Sequence, residues 1–276
     1  MSGGEIKKAV GLLGVVLLTA LLARTPEPVR KSEDARLNVV KISRIGIPAL
    51  FVKGGTFDMG EHFGEGKDDE KPVHSVTLSD FYIGLTEVTI GQYKNYCRLT
   101  GKAMPEQEDY TDDSYPVVFV TWYEASEFCQ FVGGSLPTEA QWEYAARSGG
   151  LVMKYPSGEE MDHSMANYSG VEKKDKWKKA APVASFAPNL LGLFDMSGNV
   201  YEWCQDYYKS DYYENSTMVE PTGPAASMFK VIRGGSWYHG TETLHTSHRM
   251  RYMPVARLSF LGFRVAWAPG RVQLAQ

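Results

Sequence analysis

Apolar residues at helical spacing follow a threonine three times between residues 89 and 150. Each threonine has a glutamine or glutamate three residues on: Thr89 with Gln92, Thr121 with Glu124, Thr138 with Gln141. This is the capping box, in which the threonine oxygen accepts from the backbone and the later side chain reaches back to the cap. Tyr93, Tyr96 and Cys97 give the first predicted helix an inward face, and Ala125, Phe128, Cys129 and Val132 give the second one. Gly101, Gly133 and Gly149 stand where helices stop. Upstream, Phe51 to Met59 and Val73 to Leu85 read as strands, with Gly54-Gly55 and the acidic, glycine-rich 60–71 as turns. Beyond residue 150 the helical spacing fades, leaving short apolar runs such as Val231-Ile232 and Phe263 to Trp267. The pattern predicts one α+β domain whose second half is loop-rich, with no internal repeat.

The first residues obey another rule. Lys7 and Lys8 precede a fifteen-residue uncharged stretch, Ala9 to Ala23, which Arg24, Pro26 and Pro28 end. At a rise of about 1.5 Å per residue such a helix is too short to cross a bilayer comfortably. A signal-peptide core fits better, so residues 1–31 are expected to be a signal peptide or a membrane anchor. Leu18-Thr19-Ala20 resembles the run before the lipidated cysteine of bacterial lipoproteins, but position 21 is leucine. Residues 32–46 read as a tether and 47–270 as the folded domain. The protein is expected to be exported to the bacterial periplasm, outer membrane or cell surface, with membrane association through the N-terminus open.

Composition narrows the partners. The chain has 276 residues and a net charge of −4, without the basic face that nucleic-acid binding needs. Its three cysteines, Cys97, Cys129 and Cys204, have no CxxC spacing and lie where burial explains them.

Several blocks occur in order: VKGGTFDMG (52–60), KPVHSVTLSDFYIGLTEVTIGQY (71–93), YPVVFVTWYEASEFCQFVGGSLPTEAQWEYAARSGG (115–150), APVASFAPNLLGLFDMSGNVYEWCQD (181–206), VIRGGSW (231–237) and LGFRVAW (261–267). On these blocks the chain resembles the formylglycine-generating enzyme, or sulfatase-modifying factor, family. The resemblance implies a variant of the C-type lectin fold: α+β, little regular secondary structure, termini close together. It also implies two copper(I)-binding cysteines shortly after the RGGS turn. Here YHGTETLHTSHRMRY follows Trp237 and contains none, so neither copper nor formylglycine synthesis is expected and the chain reads as a non-enzyme. The resemblance further implies structural Ca2+ at two places. One uses Asp195 and Glu202 with carbonyls of Gly198 and Val200; the other uses Asn167 and Asp175 with carbonyls of Tyr168 and Trp177. All are oxygen donors of the kind calcium takes. Lys173, Lys174, Lys176, Lys178 and Lys179 surround Asp175 and would weaken the second site.

Within 231–267 the chain keeps a fixed frame (RGGSW, Arg249, Pro254, Arg257, LGFR) in which relatives commonly carry asparagine-rich runs. Here unlike residues fill them: Tyr238, His239 and Gly240; Met250, Arg251, Tyr252 and Met253; Leu258, Ser259 and Phe260. That pattern resembles the variable proteins of diversity-generating retroelements, in which template adenines are copied with errors and AAC-type codons diversify most. Met250, Met253 and Trp237 are not reachable from such a codon. With Trp237 and His248, these residues form the candidate ligand-binding set, rich in the types that anchor interfaces. The expected function is a surface-displayed protein that binds a ligand, itself expected to be a protein. Two alternatives stay open: a non-catalytic accessory subunit of an envelope complex, and a metal-dependent periplasmic enzyme using His239, His245 and His248. Oligomeric state is not legible.

Overall fold

All three capping boxes form. In the computed structural model, which describes residues 1, 39–42, 45–170, 172 and 176–271, the Thr89, Thr121 and Thr138 side chains accept from the backbone N–H of Gln92, Glu124 and Gln141. They open helices α1 (Ile90–Thr100), α2 (Trp122–Phe131) and α3 (Glu139–Ala146). Gly101 closes α1 in the left-handed conformation at φ 72°, which glycine adopts without a Cβ penalty.

The strands are shorter and more numerous than the apolar runs. Lys53-Gly54 divides the first run into β2 (Ile47–Val52) and β3 (Gly55–Met59), and Ser79-Asp80 divides the second into β4 (His74–Leu78) and β5 (Phe81–Gly84). The Asp80 carboxylate accepts from the Gly54 N–H at 2.9 Å, tying the two breaks together. Val39–Ile42, which charge and position assign to the tether, is instead strand β1, antiparallel to β2. Its apolar VVKI sequence lets it complete a sheet edge. The rest of the predicted export segment, residues 2–31, lies outside the described residues.

The second half is loop-rich, as expected. It contributes β6 (Tyr201–Tyr207), β7 (Lys230–Arg233), β8 (Met250–Tyr252), β9 (Leu261–Gly262) and β10 (Ala266–Trp267), and no α-helix among the described residues. The sheets run β1-β2-β5-β10, β3-β4 and β8-β7-β6-β9, and only β6–β9 is parallel. β10 pairs with β5 beside β2, so the start and end of the domain share one sheet.

The core lies between helices and sheets. Phe128 of α2 stacks on Tyr93 of α1 at 5.3 Å and meets the Phe263 edge at 5.4 Å. Trp142, Trp203 and Trp267 are fully buried. Cys97, Cys129 and Cys204 are buried free thiols, and burial pushes the latter two well above the ordinary thiol range. Thiols held so far from ionisation pack as small apolar side chains.

Candidate functional site

Four arginines fasten the C-terminal segment to the rest of the molecule. Arg233 of β7 pairs with Glu143 of α3 and donates to the carbonyls of Thr246, Ser247 and His248. Arg249 is bidentate on Glu139 of α3 at 2.7 and 3.0 Å, with its guanidinium 4.0 Å from the Tyr213 ring centre. Arg264 is bidentate on Glu202 of β6 at 2.6 and 2.7 Å. Arg257 holds Glu124 of α2 at 2.6 Å and donates to the Phe119 carbonyl. The first three are fully buried, where planar bidentate geometry satisfies charges that would otherwise be costly. Gly235 completes the frame: at φ 74° a Cβ would stand 2.5 Å from Leu244 and 2.9 Å from the Thr243 carbonyl.

Between these anchors the chain loops outward. Tyr238 stacks on Phe260 with ring centres 5.7 Å apart and planes 8° apart. His239 meets Phe260 edge-on at 5.1 Å, Trp237 meets Tyr238 at 5.6 Å, and Tyr252 tilts onto Phe260 at 6.2 Å. The Trp237 indole N–H donates to the Ser259 carbonyl at 3.3 Å, joining the first and third loops directly. Residues distant in sequence thus form one aromatic platform, with Tyr238 62% exposed at its centre. Met250, Tyr252, Leu258 and Phe260 also rest partly on the main core, while Met253 is exposed. A Cβ at Gly240 would meet only the far end of the exposed Glu242 side chain, which can swing aside, so the position tolerates larger residues.

Two predicted members do not join the platform. His248 is buried, with Nδ1 3.5 Å from Glu70 and Nε2 3.3 Å from the Tyr201 hydroxyl, so it supports the fold rather than facing a ligand. It sits one residue before the Arg249 anchor, and that anchor draws it inward. Arg251 is exposed but follows strand alternation to the opposite side of β8 from Met250 and Tyr252. There it lies 4.6 Å from the Tyr208 ring centre and donates to the Tyr208 hydroxyl.

The histidines do not form a common site. His239 Nδ1 is 2.8 Å from the Ser236 hydroxyl and His245 Nε2 is 3.2 Å from the Tyr155 hydroxyl, while His248 faces Glu70. Burial lowers the pKa values of His239 and His245. Among the described residues no three His, Cys, Asp or Glu side chains are grouped to hold a metal ion.

The two calcium sets fare differently. Glu202 is committed: Oε2 accepts from Arg264 Nε and the Trp142 indole N–H, and Oε1 accepts from Arg264 Nη2. Asp195 accepts from the Ala184 N–H and lies against Glu87, whose pKa burial and the Asp195 and Glu202 carboxylates push well up. In the set of Asp195, Gly198, Val200 and Glu202 the Glu202 carboxylate is thus held by Arg264 and Trp142, while Glu87 Oε2 beside it is buried without a hydrogen-bond partner. Asn167 fits better. Its amide Nδ2 donates to the Lys179 carbonyl at 2.8 Å, while its buried Oδ1 has no hydrogen-bond partner. Tyr168 and Trp177 stand in the adjoining loop, and Asp175 lies outside the described residues.

Sequence patterning missed Phe119. This bulky residue holds φ 55°, a left-handed conformation rare for its type. Its N–H donates to the Leu258 carbonyl, and its ring packs with Trp237 on the small cluster of Val118, Ala180 and Val200. It also walls a groove of about 430 Å3 with Met104, Pro105, Glu106 and Arg257. In the sequence it is one apolar residue in a run of them, and nothing local marks its strain.

Comparison with known proteins agrees with the fold. The model of the sulfatase-modifying factor enzyme 1-like domain matches residues 46–269. The chain is 37% identical over 274 residues to the serine/threonine-protein kinase Pkn1 of Chlamydia trachomatis serovar L2, covering 90% of this chain but 42% of that protein. It therefore spans about two fifths of the length of that relative. It is 32% identical to the formylglycine-generating enzyme of Streptomyces coelicolor, covering 77% of this chain and 87% of that one. Among solved structures, Treponema denticola variable protein 1 shares the fold, with a TM-score of 0.71, 24% identity, and coverage of 84% and 98% of the two chains.

Proposed function

The chain belongs to the sulfatase-modifying factor enzyme 1-like family, and from that premise we propose that it is an exported, non-catalytic binding protein. It presents its ligand, a protein, with the platform of Trp237, Tyr238, His239, Tyr252 and Phe260. The observation that carries this reading is the division of labour in 231–267. Arg233, Arg249 and Arg264 are buried and paired with carboxylates elsewhere in the fold, while the residues between them make a half-buried aromatic surface from which Tyr238 projects. Rigid aromatic side chains offer large contact area at small entropic cost. The three thiols, all buried and all before residue 205, support a role without copper chemistry. The basic, uncharged and proline-ended start of the chain supports export.

The same division supports diversification of the platform by a retroelement, since substitutions in the loops would leave the buried arginine pairs in place. The test is the gene's neighbourhood. A near-copy of the 3′ end beside a reverse-transcriptase gene, differing at codons of 238–240, 250–253 and 258–260, is the expected result. Absence of both overturns the retroelement reading. Binding itself is tested by comparing homologous chains that differ only at those codons. Ligand preference should follow the loop residues, and identical preference would overturn it.

A structural calcium ion belongs to the reading at Asn167, with Asp175 and the carbonyls of Tyr168 and Trp177; the unpartnered Asn167 Oδ1 supports it. The ion would fix a loop that has little core of its own. Calcium should raise the unfolding temperature over that in chelator, and Asn167→Ala should remove the difference. Equal unfolding with and without calcium would exclude the ion.

A further inference from the structure

The side chains of Lys176, Lys178 and Lys179 belong neither to the platform nor to the calcium ligand set, and the fold gives this stretch a definite shape. Lys176, Trp177, Lys178, Lys179 and Ala180 line one side of a groove of about 310 Å3, and Tyr110 lines the other. The Lys176 ammonium lies 5.0 Å from the centre of the Trp177 ring and the Lys179 ammonium 5.4 Å from that of Tyr110. Trp177 is braced edge-on by Phe186 at 5.9 Å. Lys179 is paired with Glu108 at 3.0 Å. Lys176 and Lys178 are exposed, and neither has a carboxylate at ion-pair distance among the described residues.

Two ring faces and a cluster of cations fit one chemistry better than others. The rings offer flat apolar walls, and the Lys176 and Lys179 ammonium groups each lie over one ring, so that a negative group drawn to them would sit beside an aromatic surface. A lone inorganic anion leaves the ring faces unused. A long polyanion is disfavoured by the chain's net charge of −4. The volume lies at the small end of ligand sites. We propose that the groove between Tyr110 and Trp177 binds an anionic sugar, its ring against the aromatic faces and its carboxylate, sulfate or phosphate between Lys176 and Lys178. The site is separate from the platform, although both rest on the same cluster: Ala180 belongs to it, and Trp237 packs on it.

The test is calorimetric titration of the full chain with a sulfated uronate-containing disaccharide, its unsulfated and reduced neutral counterpart, a hexose phosphate, and inorganic sulfate and phosphate. The charged sugars should bind saturably and the neutral sugar should not. The sulfated and phosphorylated arms tell which source of charge the groove prefers. Raising ionic strength should weaken binding. Lys176→Glu with Lys178→Glu, both on exposed side chains, should weaken it by about tenfold or more, since attraction becomes repulsion. Tyr110→Ala should weaken binding of the sugar but not the residual affinity for the free ions. Tyr238→Ala, on the platform, should change nothing here, so failure of this site and failure of the platform reading are distinguishable. Equal affinity for the neutral sugar, unchanged affinity in the double variant, or inorganic ions binding as tightly as the sugars would each overturn the proposal.

Discussion

Arg249 and Tyr238 lie eleven positions apart and face opposite demands. Arg249→Ala would leave Glu139 buried with its main partner gone, which costs about 3–5 kcal/mol when a buried pair is broken from one side. Tyr238→Ala removes a mostly exposed ring and should shift stability by no more than about 0.5–1 kcal/mol. Urea unfolding of the two variants measures the contrast, and comparable losses would contradict the separation of anchor from surface. Neither role was legible locally: Arg249 differs from Arg251 only through Glu139, 110 positions upstream. His248 was misread for the same reason, because its inward course depends on that distant pair. Asp206 makes a pH-dependent counterpart. Burial and the Glu139 carboxylate push it up to about 8, from an ordinary 3.8. Its folded form holds a proton that the unfolded chain has released, so its contribution to stability falls as pH rises from about 4 to about 8. Asp206→Asn keeps an oxygen to accept from the Glu139 N–H and removes the ionisation. The variant should match the parent in urea near pH 4 and exceed it above pH 8; parallel curves across that range would refute the assignment.

Among the elements, the helices were the most readable. A capping box spans four residues and needs no distant partner, so Thr121 and Glu124 announce α2 from the sequence alone. The strands were less so, because the apolar runs do not reveal that Lys53-Gly54 and Ser79-Asp80 turn the chain, nor that Val39–Ile42 joins β2. In α2 the cap has a second consequence. Glu124 both accepts from the Thr121 N–H and holds Arg257, so the helix start steadies the loop that carries Leu258, Ser259 and Phe260. Thr121→Ala should cost about 1 kcal/mol of stability. It should also speed amide exchange at 256–260 more than in β7. Uniform acceleration would mean that the helix start does not govern the loop.

For the whole molecule, the family and its α+β, loop-rich fold were legible in the ordered blocks, since each block surrounds a residue whose packing is fixed. The binding surface was legible as a list but not as an arrangement. Arg251 leaves it by strand alternation, and Phe119 supports it from below, beside Trp237, through a backbone conformation that composition does not encode. At Asp195 and Glu202 the list likewise does not reveal that Arg264, 62 residues beyond Glu202, holds that carboxylate. A fold held this way should accept many loop changes together. Replacing Tyr238, His239, Met253 and Ser259 with asparagine in one variant should leave the unfolding transition cooperative and lower its midpoint by only a few degrees, roughly as four mild surface changes would. Loss of cooperativity would show that the loops are part of the core.

The choice of arginine for the anchors also bears on how such a gene can vary. Arginine can be written CGC, glycine GGC, serine TCC, tryptophan TGG, leucine CTC and phenylalanine TTC, all without adenine. Arg-Gly-Gly-Ser-Trp at 233–237 and Leu-Gly-Phe-Arg at 261–264 can therefore both be encoded by stretches with no adenine. Copying errors directed at adenine would pass over them. Lysine, the other cation able to meet a buried carboxylate, has adenine in every codon and would be exposed to the same errors as the loops. Arginine thus suits these positions twice, once for its bidentate geometry and once at the level of the nucleotide.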